Sequence, residues 1–131
     1  MAREFDGMDQ QELIAVAAAL ARPFAPSPEC QSGEVAAALV TAAGNVYTGV
    51  SIDTECSLGF CAEHAAVAEM LKARESDIRM IVAVDSSGMV LAPCGRCREL
   101  LWQVSQANRQ STWVVLGPDT GKSLAWLLPD S

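Results

Sequence analysis

Two short cysteine motifs set the strongest constraint on how this chain folds. The first is Cys61-Ala62-Glu63, within FCAEHAAVAEM; the second is Pro93-Cys94-Gly95-Arg96-Cys97, within APCGRCREL. Each falls where a loop or strand gives way to a helical pattern. Helix N-termini carry partial positive charge, which lowers a thiol's pKa and favours thiolate. Cys94 and Cys97 are one helical turn apart, so both sulfurs share a side of their helix. Between the two motifs lies IRMIVAVDSSG, which reads as a buried strand and a turn. Two neighbouring helices can therefore aim their N-termini at one point, and three thiolates gathered there demand a metal cation.

The remaining pattern supplies the frame for those helices. Leu13, Ile14, Ala17, Leu20 and Ala21 recur at helical spacing and predict a helix over 9–22. Asp9 with Glu12 forms a capping-box signature, and Pro23 stops the helix. Residues 23–33, PFAPSPECQSG, read as a Pro-rich loop. Two β-compatible runs then flank AAGN, the signature of a hairpin. In its second run Val46, Thr48, Val50 and Ile52 share one face, while Tyr47, Gly49, Ser51 and Asp53 share the other. TECSLG is a loop leading to the first motif. The spacing predicts helices over 61–75 and 94–108, the second with Leu100, Leu101 and Val104 inward. STWVVLGPDTGK reads as a strand and turn, and SLAWLL as a short closing helix ended by Pro129. The order α-β-β-α-β-α-β-α predicts an α/β fold: a three-layer α/β/α sandwich on a mixed β-sheet, one domain over residues 1–131.

Composition narrows the partners. With 131 residues, half of them hydrophobic, the chain can build one core. No apolar run approaches the length of a membrane span. The acidic N-terminal stretch MAREFDGMDQQE lacks the layout of a signal peptide, so a cytoplasmic protein is expected. A formal net charge of −7 and the absence of any lysine or arginine run argue against nucleic acid as a partner. A small neutral or cationic substrate suits this charge better. The odd count of five cysteines speaks against a disulfide framework and for metal binding or catalysis. Cys30 and Cys56 have no partner at ligand spacing.

Zn²⁺ is the usual ion for sulfur ligands. Three protein ligands leave a fourth tetrahedral position, which in catalytic sites holds water. His64 has the spacing to be a fourth ligand; the reading preferred here sets it beside the site as a hydrogen-bond donor to sulfur. Glu63, two positions from a ligand, is placed to carry a proton between a zinc-activated water and a leaving group. Three thiolates with Zn²⁺ sum to a negative charge, and Arg96, between the paired cysteines, is the residue expected to offset it, ahead of Arg98. A redox CxxC would explain Cys94 and Cys97 but neither Cys61 nor Glu63. A purely structural zinc site would leave Glu63 without a use. A Cys ligand, x-E, then P-C-x-x-C is the signature of zinc nucleobase deaminases.

From about Val35 to Pro129 the chain resembles the cytidine deaminase family, including its blasticidin-S deaminase relatives. LGFCAEHAAVAEM is similar to the family's C-A-E-R-x-A-I helix, APCGRCREL to its P-C-G-x-C-R-Q motif, VYTGVSID to its G-x-N-V-E strand, and LAWLLP to its closing E-L-L-P. The resemblance implies hydrolytic deamination of an aminopyrimidine nucleoside, with Cys61, Cys94 and Cys97 holding zinc. It implies that zinc-bound hydroxide attacks the ring carbon bearing the amine, and that Glu63 moves the protons. It also implies that the backbone near Ala62 bonds the base, and that the enzyme is a homotetramer or homodimer. The sequence departs from the pattern where the substrate is held. The family's sugar-binding Asn and Glu fall at Ser51 and Asp53, its base-stacking Phe at about Gly33, and the Arg after its Glu at His64. Blasticidin-S deaminases share an Arg between the paired cysteines, as at Arg96. Cytidine is the leading expected substrate; a nucleoside antibiotic or another modified pyrimidine nucleoside is the alternative.

Overall fold

The structure is a computed structural model that describes residues 4–5 and 8–129. Residues 1–3 and 6–7, part of the acidic stretch read above, lie outside them. A two-stranded antiparallel pair, β1 (Glu4–Phe5) and β2 (Met8–Asp9), leads into helix α1 (Gln10–Leu20). The expected capping box is present: the backbone N–H of Glu12 donates to the Asp9 carboxylate, and that of Asp9 to the Glu12 carboxylate. The helix ends before Pro23, as its lack of an N–H requires.

A mixed sheet carries the rest. It contains β3 (Phe24–Ser27), β4 (Cys30–Thr41), β5 (Val46–Thr54), β6 (Ile78–Asp85), β7 (Val90–Leu91), β8 (Trp113–Gly117) and β9 (Thr120–Ser123). The long β4 pairs antiparallel with β5 along one side, and with β3 and then β6 along the other. β6 pairs with β7 and, in parallel, with β8; β9 closes the far edge. The parallel β6–β8 pair is made possible by the intervening helices α3 (Gly95–Val104) and α4 (Asn108–Ser111).

Period-two alternation sorts the side chains of β4 and β6 between two cores. Ala38, Val40, Met80, Val82 and Val84 face Leu13 and Ala17 of α1. Ala37, Leu39, Ile81 and Ala83 face the other way, against Ala62, Ala66, Val67 and Met70 of α2 (Ala62–Lys72), Leu101 of α3 and Leu124 of α5 (Leu124–Leu127). Helices thus cover both faces, giving the three-layer α/β/α sandwich expected from the sequence.

Three local expectations need correction. The Pro-rich segment 23–33 is not a loop: Phe24–Ser27 pairs with β4 as an edge strand. All four of its residues are exposed, so no alternation betrays it, and Pro26 is tolerated because an edge strand has N–H groups that face no neighbour. The residues after GPD form a strand, β9, rather than only a turn. The second motif helix stops at Val104 instead of running to 108. Asn108 starts a separate helix because its buried side chain is occupied elsewhere. Its Oδ1 accepts from the Ile78 N–H at 2.8 Å, and its Nδ2 donates to the carbonyls of Leu101 and Ser76.

Candidate active site and metal centre

Strand β5 ends beside the start of α2, and α2 packs on the Tyr47–Gly49–Ser51 face of that strand. The packing is close at Gly49, where an added Cβ would stand 2.4 Å from both the Ala65 Cβ and the Ala66 nitrogen. A glycine here lets the helix lie directly on the strand, which fixes the height of its N-terminus over the sheet. Cys61 is the N-cap residue of α2, and Cys94 is the N-cap residue of α3. The backbone N–H of Cys97 donates to Cys94 Sγ at 3.4 Å, so that sulfur does the work of a cap.

The two helix starts converge. Cys61 Sγ lies 3.6 Å from Cys94 Sγ, which lies 3.3 Å from Cys97 Sγ. All three sulfurs fall within 4.8 Å of one another. Such a trio fits a zinc ion on its donor chemistry, three sulfurs gathered at two positive helix ends. The lowering of thiol pKa expected at the helix starts holds for Cys94 alone. Burial, with the charge of Glu63 nearby, pushes the Cys97 thiol far above its usual range, and burial also raises Cys61. For Cys94 burial works upward too, but the Cys97 N–H and the neighbouring thiols outweigh it and hold that thiol below its ordinary value. Only a cation lets three sulfurs this close ionise together.

Around the trio the structure gathers the other residues named from the sequence, at different depths. Glu63, in the first turn of α2, is buried at 6% exposure, and desolvation lifts its pKa above the usual carboxylate range. His64 Nδ1 lies 3.6 Å from Cys97 Sγ, next to the sulfur cluster rather than within it. Burial, then the charge of Arg96, lowers its pKa. Arg96 itself is exposed, whereas Arg98 is committed to the carbonyls of Pro93 at 2.9 Å and Leu127 at 3.4 Å.

Beside the sulfurs opens a cavity of about 490 Å³, lined by Ser51, Asp53, Ala62, Glu63 and Arg96 together with Cys61 and Cys94. Ser51 is buried and its Oγ accepts from the Val35 N–H at 3.1 Å; Asp53 is exposed at the mouth. Gly33 has φ +83°, and an added Cβ would meet the Arg22 carbonyl oxygen at 2.3 Å, so no side chain can project there.

The cavity also has walls that sequence reasoning did not name: Val35 from β4, Ala83 from β6, Leu91 from β7, and Phe60. Phe60 was hidden because the loop before Cys61 has no periodicity. It is positioned by an isolated antiparallel bridge, in which its N–H and carbonyl exchange 3.0 Å bonds with Ile52. Cys30 and Cys56 stand apart from the sulfur cluster, as their spacing indicated.

Comparison with known proteins agrees with this architecture. A family model described as the cytidine and deoxycytidylate deaminase zinc-binding region matches residues 8–112. A cytidine deaminase of Mycobacterium tuberculosis is 33% identical over 98 residues, covering 74% of this chain and 71% of that one. Among solved structures, a glutamate-to-glutamine mutant of the M. tuberculosis cytidine deaminase superposes with a TM-score of 0.78 at 28% identity, over 95% of this chain and 98% of its own. The cytidine deaminase of Burkholderia pseudomallei does so at 0.75 and 31% identity, over 95% and 99%.

Proposed function

Since the chain belongs to the cytidine and deoxycytidylate deaminase family of zinc-binding hydrolases that act on C–N bonds, we propose that it deaminates a cytidine-like aminopyrimidine nucleoside, releasing the uridine-like product and ammonia. The observation that carries this reading is a buried carboxylate, Glu63, in the wall of a nucleoside-sized cavity that also reaches Cys61 and Cys94. Cys61, Cys94 and Cys97 would hold zinc, which when bound supplies a Lewis acid able to make water a nucleophile near neutral pH.

Glu63 is the proton carrier of the proposed reaction. It takes a proton from the attacking water and gives it to the ring nitrogen, then takes the remaining proton of the new hydroxyl and delivers it to the departing amine. Its burial supports this, because desolvation raises its pKa and so makes the carboxylate a stronger base toward the water's proton. The backbone of Ala62, at the start of α2, is assigned to the base. Ser51 and Asp53 are assigned to the sugar: Ser51 Oγ already accepts from Val35, so its own hydroxyl proton remains to be donated. Arg96 and His64 are assigned to offsetting the charge of the sulfurs.

Cytidine is the substrate proposed first. Ser51 and Asp53 have short side chains, and the space this leaves favours one second reading: a nucleoside antibiotic of the blasticidin-S kind, or another pyrimidine nucleoside modified on its sugar. The proposed assembly is a homotetramer or homodimer. Phe24, Leu58, Met89 and Trp126, all more than half exposed, offer apolar surface for it. No described helix is long and apolar enough to cross a membrane; a cytoplasmic role in pyrimidine salvage is the proposed setting.

The deciding experiment measures zinc content together with the loss of ultraviolet absorbance on adding cytidine or deoxycytidine. One zinc per chain with an absorbance change supports the reading. One zinc without a change directs the search to modified nucleosides. Protein that binds no zinc overturns it.

A further inference from the structure

Among the described residues lining the cavity, Phe60 is the aromatic one. Its neighbours in the wall are aliphatic or small: Val35, Ile52, Ala83 and Leu91. Phe60 is 38% exposed, so its side chain is accessible from the cavity it lines. It is also held firmly. Phe60 exchanges two backbone bonds with Ile52, and the preceding Gly59 lies so close that an added Cβ would stand 1.9 Å from the Ile52 carbonyl oxygen. The His64 imidazole backs the ring at 6.1 Å between centroids and 17° between planes. A rigid aromatic plane therefore sits in the cavity wall directly before Cys61 and three residues before Glu63.

We infer that Phe60 is the platform on which the pyrimidine ring of the substrate packs, which makes it a substrate-binding residue. This inference rests on the deaminase reading. Any nucleobase has a π-face, so an aromatic plane binds the ring without demanding a hydrogen-bond pattern, while Glu63 supplies the directional contact. A platform of this kind contributes to holding the substrate and not to proton transfer, so its loss should appear in KM and leave kcat largely intact.

The test uses the zinc-loaded full chain and the variants Phe60→Tyr, Phe60→Leu and Phe60→Ala. It reads KM and kcat for cytidine, the dissociation constant for uridine by titration, and zinc content. Stacking of a base on an aromatic residue predicts that Phe60→Leu raises KM about 5- to 150-fold. The uridine constant should rise in parallel, with kcat within a few-fold and zinc unchanged, and Phe60→Tyr should stay close to wild type. Unchanged KM and uridine affinity in Phe60→Leu, beside an active wild type, would overturn the inference. So would loss of zinc from both the Leu and Ala variants, which would mark Phe60 as structural support for Cys61. A wild type that neither turns over cytidine nor binds uridine would instead sink the deaminase reading, and the platform with it.

Discussion

At the scale of single residues, the proposed site depends on groups whose protonation is set by where they lie. Glu63 is buried with its pKa raised by desolvation. If it carries the protons, Glu63→Gln should retain zinc and lose turnover by about 10²–10⁴-fold or more, as measured by cytidine absorbance and metal content. A purely structural zinc domain would show no such split. A second carboxylate responds to pH in a different way. Glu75 accepts from Tyr47 Oη and from Asn45 Nδ2, and its pKa is held low by hydrogen bonds from Thr41 first, then Tyr47 and Asn45. A carboxylate whose folded pKa is lowered contributes stability above its unfolded value, about 4.3, and loses it as pH falls through the folded value. Melting temperatures taken from neutral pH downward should therefore fall less steeply below about pH 4.3 in Glu75→Gln than in wild type. Equal slopes would show that these bonds do not distinguish the folded from the unfolded carboxylate. The residues of the metal centre were legible from spacing alone, since the cysteine pair on one turn and the Cys-x-Glu beside it have few other uses. Phe60 was not, because nothing local in TECSLG tells which way its ring turns.

At the scale of elements, the site is placed by how α2 lies on β5. Gly49→Ala would push a methyl group into Ala65 and the backbone of Ala66, and overpacking of this kind costs about 1–3 kcal/mol. The variant should unfold at lower denaturant concentration and bind zinc more weakly, because α2 must move and carries Cys61 with it. Unaltered stability would mean that helix and strand are less tightly seated than the geometry shows. Asn108→Ala should cost more than a surface change, about 1–3 kcal/mol for each group left unpaired among the Ile78 N–H and the Leu101 carbonyl, read as a shift in denaturation midpoint. Element by element, the start of α1 was readable from its capping box and the hairpin from its turn. β3 was not, for its four exposed residues and its proline look like a loop until β4 is beside them.

For the whole molecule, zinc should act as a clamp between α2 and α3, which otherwise approach each other over a short stretch near their N-termini. A ligand at 100 times its dissociation constant adds about 2.7 kcal/mol to a folded state, on the order of 10 °C in a chain of this size. Chelation should lower the melting temperature by that order, and zinc should restore it; a melting temperature indifferent to chelator would place the ion outside the folding unit. The amino-acid sequence by itself determined the cysteine trio, the carboxylate beside it and the α/β/α layering. Each is written in short-range pattern: ligands one turn apart, a carboxylate two residues from a ligand, and helical runs alternating with β-compatible ones. Only the tertiary structure decided the shape of the cavity. Its walls come from β4, β5, β6, β7 and the starts of two helices, and Phe60 enters them through a pairing with Ile52. Contacts between residues far apart in the chain obey no local period; they exist because the sheet brings those strands side by side.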